Sequence, residues 1–311
     1  MEILKDPSSL AIFGVRGANG VIIITTKKAK EGQTRVNING SFGFKTVANK
    51  IAMTDAAGFK ELYNEQLRNE GSPEFDFTPW TGNTNWQDEI FQTGFITNNN
   101  VSITGASAKH SFYLGAGYAY EQGNIKHEKY SKITLNISND YKVTDNFKVG
   151  FQFNGARILP ADTKSVATAL RAAPVAPVYN EEYGLYTTLP GFQKAQMNNP
   201  MVDVELKANT TRTENYRASG NVYAQWDFLK NFQFKVMYSM DYASNSSRTY
   251  TPIITVFDSS VEGNVVTLGN GKTGVRQSKE TEAKVQSDYL LTYTNLSLIH
   301  ISEPTRPRLI S

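Results

Sequence analysis

Alternation of apolar and polar residues is the dominant pattern of this chain, and it predicts eight long β-strands. Successive side chains of a strand point to opposite faces, so a strand with one apolar face alternates with a period of two. The clearest case runs from Lys132 to Tyr141, where Ile133, Leu135 and Ile137 alternate with polar residues. The predicted strands cover residues 35–44, 98–106, 111–120, 132–141, 147–153, 214–228, 232–241 and 284–293.

The lengths of the connections separate two architectures that share this alternation. A water-soluble β-sandwich also alternates. Here short links at 107–110, at Asp145 and at Lys230 are interleaved with long connections at 45–97, 158–213 and 243–280 and a medium one at 121–130. Short turns at one end and long loops at the other are typical of a transmembrane barrel. The prediction is an all-β chain, part of a transmembrane antiparallel β-barrel with apolar faces toward lipid and polar faces toward the lumen.

The first long connection is predicted to contain two helical stretches. Thr54 or Asp55 can cap a helix that Gly71 can close, and its apolar residues fall at helical spacing. These residues are Phe59, Leu62, Tyr63 and Leu67. A second short amphipathic turn follows at residues 85–91. The first helix is interpreted as structural.

The first 28 residues have a different pattern. Asp6 can cap a short helix with Pro7 at its first position, and Gly14 is placed to end it. Residues 16–20 then form a predicted turn in which two glycines and Asn19 can take positive φ. The aliphatic run 21–26 is predicted to be a strand buried on both faces.

These residues, read as LKDxSSxAIxGxRGANGVIxITTK, closely resemble the plug signature of the SusC/RagA family of TonB-linked outer-membrane proteins. The resemblance is carried by Asp6, Gly14, Arg16, Gly17, Asn19 and Gly20, with Arg16 and Asn19 expected to hold the turn in shape. Residues 85–91 resemble the TDWQDxxF segment of the same family, with Asn85 in place of Asp. The resemblance covers about Met1 to Asn295.

A nucleotide-binding loop is the other interpretation of these glycines. Gly14, Gly17 and Gly20 have the spacing G-x-x-G-x-x-G, whereas dinucleotide loops have G-x-G-x-x-G between a strand and a helix. No preceding strand is expected within the chain, and a strand rather than a helix is predicted to follow. The glycines are therefore interpreted as structural.

Composition agrees with a barrel. Tyr and Phe account for 33 of the 311 residues and Gly for 23, while mean hydropathy is negative. The longest aliphatic run is far shorter than the ~20 apolar residues of a spanning helix. The net charge of +3 is small and dispersed, so nucleic acid is not expected as a partner. The absence of cysteine decides little.

The resemblance implies a mechanism and a location. SusC-like proteins are plugged β-barrels of the outer membrane that work with a SusD-like surface lipoprotein and with TonB to import oligosaccharides or oligopeptides. A barrel of this type has about 22 strands, so eight strands are a part of its wall surrounded by outer-membrane lipid. The chain is thus expected to be an internal fragment of such a transporter, with TonB acting through a segment that precedes it.

Catalysis and cofactor binding are not expected. His110, His127 and His300 lie apart in a turn, a loop and the C-terminal tail, without metal-ligand spacing. No G-x-S-x-G or S-x-x-K motif occurs. No catalytic residue, metal site or cofactor is therefore assigned.

Three loop aromatics are candidate substrate contacts. Trp80, Tyr183 and Tyr186 fall in the long connections, where aromatic faces can stack on sugars. The competing interpretation is that each packs the loop that contains it.

Three regions are expected. Residues 1–30 are the C-terminal part of a plug, and residues 31–295 are the N-terminal part of a barrel with long extracellular loops. Residues 296–311 lose the alternation and contain two prolines. Because LIHISEPTR resembles translated sequencing-adapter read-through, this tail is expected to be foreign, the alternative being a divergent loop.

Two other functions stay open at this stage. A TonB-dependent receptor for a siderophore or cobalamin would share the plug and barrel. The second alternative is a small structural or adhesive outer-membrane barrel, since eight strands can close around a filled interior.

Overall fold

The computed structural model describes residues 2–6, 10, 18–23, 31–162, 164, 166–229 and 231–294. Its β-strands are β1 (Glu2–Leu4), β2 (Val21–Ile23), β3 (Thr34–Lys45), β4 (Gly94–Ala106), β5 (His110–Gln122), β6 (Lys129–Thr144), β7 (Phe147–Leu159), β8 (Tyr179–Asn180), β9 (Leu185–Tyr186), β10 (Thr211–Phe228), β11 (Phe232–Thr251), β12 (Ile254–Phe257), β13 (Val265–Leu268) and β14 (Gly274–Tyr293). The helices are α1 (Ala56–Asn69), α2 (Trp86–Ile90), α3 (Val166–Arg171) and α4 (Gly191–Lys194), with a π-helical turn at Val202–Leu206.

Eight long strands form one antiparallel sheet. Their order is β14-β11-β10-β7-β6-β5-β4-β3, so each strand pairs with the long strand next to it along the chain. The first and last strands, β3 and β14, lie at opposite edges of this order. All eight predicted strands are confirmed. In the described part of the chain the sheet is open, which disfavours the small closed barrel.

The register aligns apolar residues with apolar residues across the whole sheet. One row of paired positions runs from β3 to β14 through Val36, Ile103, Leu114, Ile137, Phe153, Gly220, Met240 and Val285. The next row, on the opposite face, runs through Asn37, Ser102, Gly115, Asn136, Asn154, Ser219, Asp241 and Lys284. The sheet therefore has one apolar face and one polar face, as a barrel wall between lipid and lumen requires.

Several strands are longer than their alternation predicts. β11 and β14 each contain 20 residues, and β10 contains 18. The connection expected at 243–280 is consequently only 252–273. The added residues are polar on both faces, as in Asn245, Ser246 and Ser247, so they carry no alternation that would mark a strand.

The long connections all leave the same end of the sheet. They follow β3, β5, β7 and β11, whereas the turns after β4, β6 and β10 lie at the other end. α1 and α2 were expected in the first connection and are present. The small antiparallel hairpins β8–β9 and β12–β13 were not predicted.

The buried core of the described chain lies in these connections rather than on the sheet. Its largest cluster joins residues from 56–91, Ile125 and 166–204, including Trp86, Ile90, Val175 and Leu189. Many apolar side chains of the sheet are exposed, for example Ile38 and Phe42. The connections thus form a folded unit, here termed the loop domain, at one end of a two-faced sheet.

The N-terminal residues correct two expectations. A short strand does precede the glycines, because β1 pairs with β2 in an antiparallel ladder. β2 is not buried on both faces in its described part, since Ile22 is 59% exposed. The antiparallel pairing still differs from a dinucleotide fold, in which the strands are parallel.

Among the residues that the structure describes, no helix is both long enough and apolar enough to cross a membrane.

Candidate functional site

Amide side chains cover much of the polar face on β3 to β7. Asn39 of β3 is the register partner of Asn100, and Asn136 of β6 is the partner of Asn154. Asn100 Nδ2 donates to Asn98 Oδ1 at 2.9 Å, which orders one row of amides. Primary amides both donate and accept hydrogen bonds, so this part of the face suits neutral polar ligands.

Charged side chains take over on β6 to β11. Asp140 accepts a hydrogen bond from the Tyr223 hydroxyl at 2.5 Å, and Lys148 Nζ lies 3.6 Å from the same carboxylate. Lys235 Nζ lies 4.6 Å from the centre of the Tyr223 ring. The cations are thus balanced by a carboxylate and an aromatic face. This half of the polar face presents paired charges beside the amides.

A cavity of about 500 Å³ opens in the loop domain. Segments 50–55, 83–87 and 169–174 line it. Gln87 is only 3% exposed, and its amide donates to the Ile51 carbonyl at 2.7 Å and accepts from the Ile51 N–H at 3.0 Å. Trp86 Nε1 donates to the Ala173 carbonyl at 3.1 Å. Asn85 caps the helix that begins at Trp86, and this cap positions the buried side chains of Trp86 and Gln87. Through them the helix is bonded to the segments around Ile51 and Ala173.

An ion pair with a buried carboxylate joins α4 to the β12–β13 hairpin of the loop domain. Asp258 is 3% exposed and accepts hydrogen bonds from Lys194 Nζ at 2.8 Å and from Ser260 Oγ at 2.6 Å. Burial by itself raises the pKa of Asp258, but the bonds from Lys194 and Ser260 outweigh burial and leave the pKa below its ordinary value. The carboxylate therefore stays charged and holds α4 against the β12–β13 hairpin.

Sequence comparison identifies relatives over most of the chain. TonB-dependent receptor P3 of Formosa agariphila is 28% identical over 278 residues, which are 85% of this chain and 26% of that protein. TonB-dependent receptor SusC of Bacteroides thetaiotaomicron is 28% identical over 272 residues, 80% of this chain and 27% of that protein. No family model matches the chain.

Solved structures share the fold. The RagAB peptide importer in its open-open state matches with a TM-score of 0.62 at 15% identity, over 94% of this chain and 44% of that one. Its closed-closed state matches with a TM-score of 0.55. The chain is SusC/RagA-like. It spans about a quarter of the length of the curated relatives that it matches.

Likeness to TonB-dependent receptors such as SusC places this SusC/RagA-like chain in the outer membrane. Its relatives are receptors rather than enzymes, in agreement with the absence of catalytic motifs from the sequence. In the described ranges no three His, Cys, Asp or Glu side chains come together in a way that could hold a metal ion.

The predicted aromatic contacts occupy different environments. Trp80 is 8% exposed and belongs to the loop-domain core, so the structure favours packing for this ring. Tyr186 packs on the core, and the centre of its ring lies 5.1 Å from the centre of the Tyr179 ring. Burial raises the pKa of the Tyr186 hydroxyl. Tyr183 is 39% exposed, and the centre of its ring lies 5.0 Å from that of Phe257. The Tyr183 hydroxyl accepts a hydrogen bond from Asn264 Nδ2 at 3.0 Å. Tyr183 keeps the accessible surface that ligand contact requires.

Part of the plug motif can be placed. The Leu10 N–H donates to the Asp6 carbonyl at 3.1 Å, which is the first helical bond expected after a cap at Asp6. Asn19 lies in the turn, and Gly20 takes φ +99°. A Cβ at Gly20 would lie 3.3 Å from the Leu4 carbonyl oxygen. Gly14, Arg16 and Gly17 lie outside the described residues, as does the predicted foreign tail 296–311.

The sequence analysis missed the residues that build the cavity. Gln87 and Asn83 gave no periodic signal, although Asn83 Oδ1 accepts from the Ala56 N–H at 2.9 Å at the start of α1. The available signal was the family segment at residues 85–91, which contains Gln87 itself. Its Asn85 caps α2 by accepting a 3.2 Å bond from the Gln87 N–H.

Proposed function

We propose that this chain forms the end of the plug and the first eight wall strands of a TonB-dependent importer that takes up oligosaccharides together with a SusD-like surface lipoprotein. On this assignment residues 1–30 belong to the plug and residues 31–295 to the barrel. The loop domain faces the cell exterior, and the short turns face the periplasm.

One observation carries the proposal: an amide-rich polar face leads away from a folded loop domain at one end of the sheet. A receptor that passes cargo through its interior needs a hydrated wall with many weak hydrogen-bonding groups and no trap of high affinity. The asparagine rows of β3 to β7 meet that requirement. An oligopeptide is the second candidate cargo, favoured by the charge pairs on β6 to β11, such as Arg217 with Asp241 at 2.9 Å.

The SusD-like lipoprotein and TonB are assigned on different grounds. The lipoprotein would cover the end of the sheet that carries the loop domain, whose exposed surface includes Tyr183. TonB would act from the periplasmic side through the plug. Likeness in fold to the RagAB peptide importer supports an importer of this general design.

An uptake assay with the full-length receptor that carries this segment tests the proposal. Cells expressing the receptor, with and without TonB, are offered fluorescent oligosaccharides, oligopeptides or an iron chelate. TonB-dependent accumulation of oligosaccharide is the expected result. Peptide accumulation alone would move the cargo to the second candidate, and chelate accumulation alone would support the siderophore or cobalamin alternative.

The Tyr183 contact is tested in the same assay. Tyr183→Ala is expected to lower oligosaccharide uptake several-fold, because stacking on one aromatic ring contributes about 1 kcal/mol. Tyr179→Ala is the matched control, since Tyr179 is a similarly exposed tyrosine in the same loop. Equal uptake by both variants would remove Tyr183 from the contact set. Trp80→Ala and Tyr186→Ala are expected to reduce the folded fraction of the loop domain instead.

A further inference from the structure

The apolar face of the sheet contains a groove, here termed the wall groove. It has a volume of about 620 Å³ and is lined by apolar side chains of β7, β10, β11 and β14. Its floor is formed by the small residues Ala218 and Gly220, and Phe153 and Met240 flank Gly220 in the register. A Cβ at Gly220 would lie 2.5 Å from the Gln152 carbonyl oxygen, so the backbones approach too closely for a larger residue.

A cluster of cations lies on the same face, toward the loop domain. Arg157 Nη2 and Arg212 Nη2 both donate to Glu214 Oε1, at 3.0 and 2.5 Å. Arg248 is the register partner of Arg212. Lys279 pairs with Ser246, which pairs with Glu214. These five residues, the rim cluster, contain four cations and one carboxylate, so the cluster has an excess of positive charge.

The position of the rim cluster matches the interface of a bilayer. On β10 the outward-facing residues from Tyr216 to Trp226 span about 33 Å along the strand. At a tilt of about 40° this corresponds to an apolar band about 25 Å tall between two aromatic girdles. The rim cluster begins just beyond Tyr216, whose ring lies 5.8 Å from the Arg157 guanidinium. The wall groove begins at Ala218, directly on the hydrocarbon side of Tyr216.

The rim cluster and the wall groove therefore follow one another in the same order as the charged headgroup and the acyl chains of a lipid. A phosphate at the rim cluster would meet guanidinium groups that bind it in a bidentate manner. An acyl chain of the same lipid would lie in the wall groove. The loop-domain end faces outward only if the proposed function holds, and the inference rests on it to that extent. The lipids of that leaflet include phosphorylated, acylated glycolipids.

We propose that the rim cluster and the wall groove form a binding site for a phosphorylated glycolipid of the outer leaflet, of the lipid A type. The phosphate binds Arg157 and Arg212, whose exposed fractions are 38% and 72% for their side chains. Arg248 and Lys279 add long-range attraction. One acyl chain fills the wall groove between Phe153 and Met240.

Native mass spectrometry of the detergent-purified full-length receptor with added lipid A tests the site. The double variant Arg157→Gln with Arg212→Gln is expected to bind lipid A about tenfold more weakly, because interfacial cations each contribute measurably to the binding of anionic lipid. Ala218→Phe is expected to weaken binding by filling the groove. Phosphatidylcholine serves as the zwitterionic comparison and phosphatidylglycerol as the phospholipid comparison.

Matched controls separate the site from general effects. Lys148→Gln with Lys235→Gln removes two charges from the polar face, and Ala116→Phe enlarges a small residue on the apolar face outside the groove. Both should bind lipid A as the unmodified receptor does. Equal binding by all variants, or equal loss in the controls, would overturn the proposal. Preferential loss of phosphatidylglycerol would assign the site to phospholipid instead.

Failure of the lipid-binding proposal can be distinguished from failure of the proposed transport function. The rim variants lie outside the lumen, so oligosaccharide uptake per folded receptor should stay unchanged. The expected pattern is weaker lipid A binding by the rim variants with normal oligosaccharide uptake. An unmodified receptor that binds lipid A but takes up no oligosaccharide would contradict the proposed function and leave the lipid site standing.

Discussion

Gln87 shows how a single side chain organises the loop domain. Its amide occupies both backbone hydrogen-bonding groups of Ile51, although the two residues lie on opposite sides of α1 in the sequence. Trp86, its neighbour, bonds to the backbone at Ala173. Buried amides that are fully paired stabilise one arrangement of a loop, since any other arrangement leaves them without partners.

Replacement of Gln87 should therefore loosen the segment around Ile51. Gln87→Ala removes two hydrogen bonds and is expected to destabilise this part of the loop domain by about 2 kcal/mol. Hydrogen exchange of the Ile51 amide measures the effect directly. Gln66→Ala is the control, because the Gln66 amide bonds only to Glu70 at the exposed surface of α1. Unchanged exchange at Ile51 in Gln87→Ala would contradict the role assigned to this side chain.

The stability of the loop domain is expected to depend on pH through Asp258. Its pKa is lowered in the folded state below the ordinary value of 3.8, so its contribution to stability is present above about pH 4 and is lost as the pH falls through the folded pKa. Amide exchange in β12 and β13, corrected for intrinsic rates, should accelerate as the pH falls below about 4. Asp258→Asn should show faster exchange already at neutral pH and little further change.

A control for this prediction lies at the other end of the sheet. Asp145→Asn, in the β6–β7 turn, should leave the pH profile of the β12–β13 hairpin intact. A hairpin whose protection does not respond to acid in the unmodified receptor would contradict the role of the Asp258–Lys194 pair.

At the scale of elements, the strands are defined by the contrast between their two faces. Ile137 lies in the apolar row that contains Gly220, between the girdles at Tyr216 and Trp226. Asn136, the adjacent residue, lies in the polar row. The two positions share a strand, a depth and a neighbourhood, and differ only in the face that they occupy.

A lysine scan of these two positions tests the assignment of the faces. Ile137→Lys is expected to cost about 2 to 4 kcal/mol of folding free energy, as for charges placed on the lipid face near the midplane of a barrel. Asn136→Lys should be tolerated, because its side chain points to the hydrated side. The heat-modifiable folded fraction in isolated outer membranes measures both. Greater loss of folded protein for Asn136→Lys would reverse the assignment.

The same contrast explains what the sequence could predict about the elements. Alternation located all eight strands, because the bilayer imposes an apolar face on each of them. It missed the outer ends of β11 and β14, where water borders both faces and residues such as Ser246 and Ser247 carry no alternation. It also missed β8, β9, β12 and β13, which have two to four residues each and depend on contacts within the loop domain.

At the scale of the molecule, the loop domain explains why the burial of the loop aromatics was harder to predict than the strands. Trp80 was a candidate contact because it lies in a long connection, with packing of the loop as the competing interpretation. It is buried because the segment that follows it is bonded to residues far along the chain, with the Gly82 N–H donating to the Val175 carbonyl at 2.9 Å. Such long-range packing leaves no local pattern in the sequence. Family resemblance supplied the plug motif and the segment at residues 85–91, and the geometry supplied the bonds that Gln87 makes and the cavity beside it.

The central claim is that this sheet is a wall of an outer-membrane barrel, with the loop domain outside the cell and the short turns in the periplasm. The chain contains no cysteine, so single cysteines introduced into it can be labelled without background from this segment. Asn270 lies in the connection between β13 and β14, and Asp145 lies in the turn between β6 and β7. Both are exposed.

The most direct test is labelling of Asn270→Cys and Asp145→Cys in the full-length receptor on intact cells with a maleimide that cannot cross the outer membrane. The account predicts labelling of Asn270→Cys in intact cells, and labelling of Asp145→Cys only after the outer membrane has been permeabilised. Labelling of Asp145→Cys in intact cells, with Asn270→Cys protected, would contradict the orientation. Equal labelling of both in intact cells would contradict the membrane wall itself.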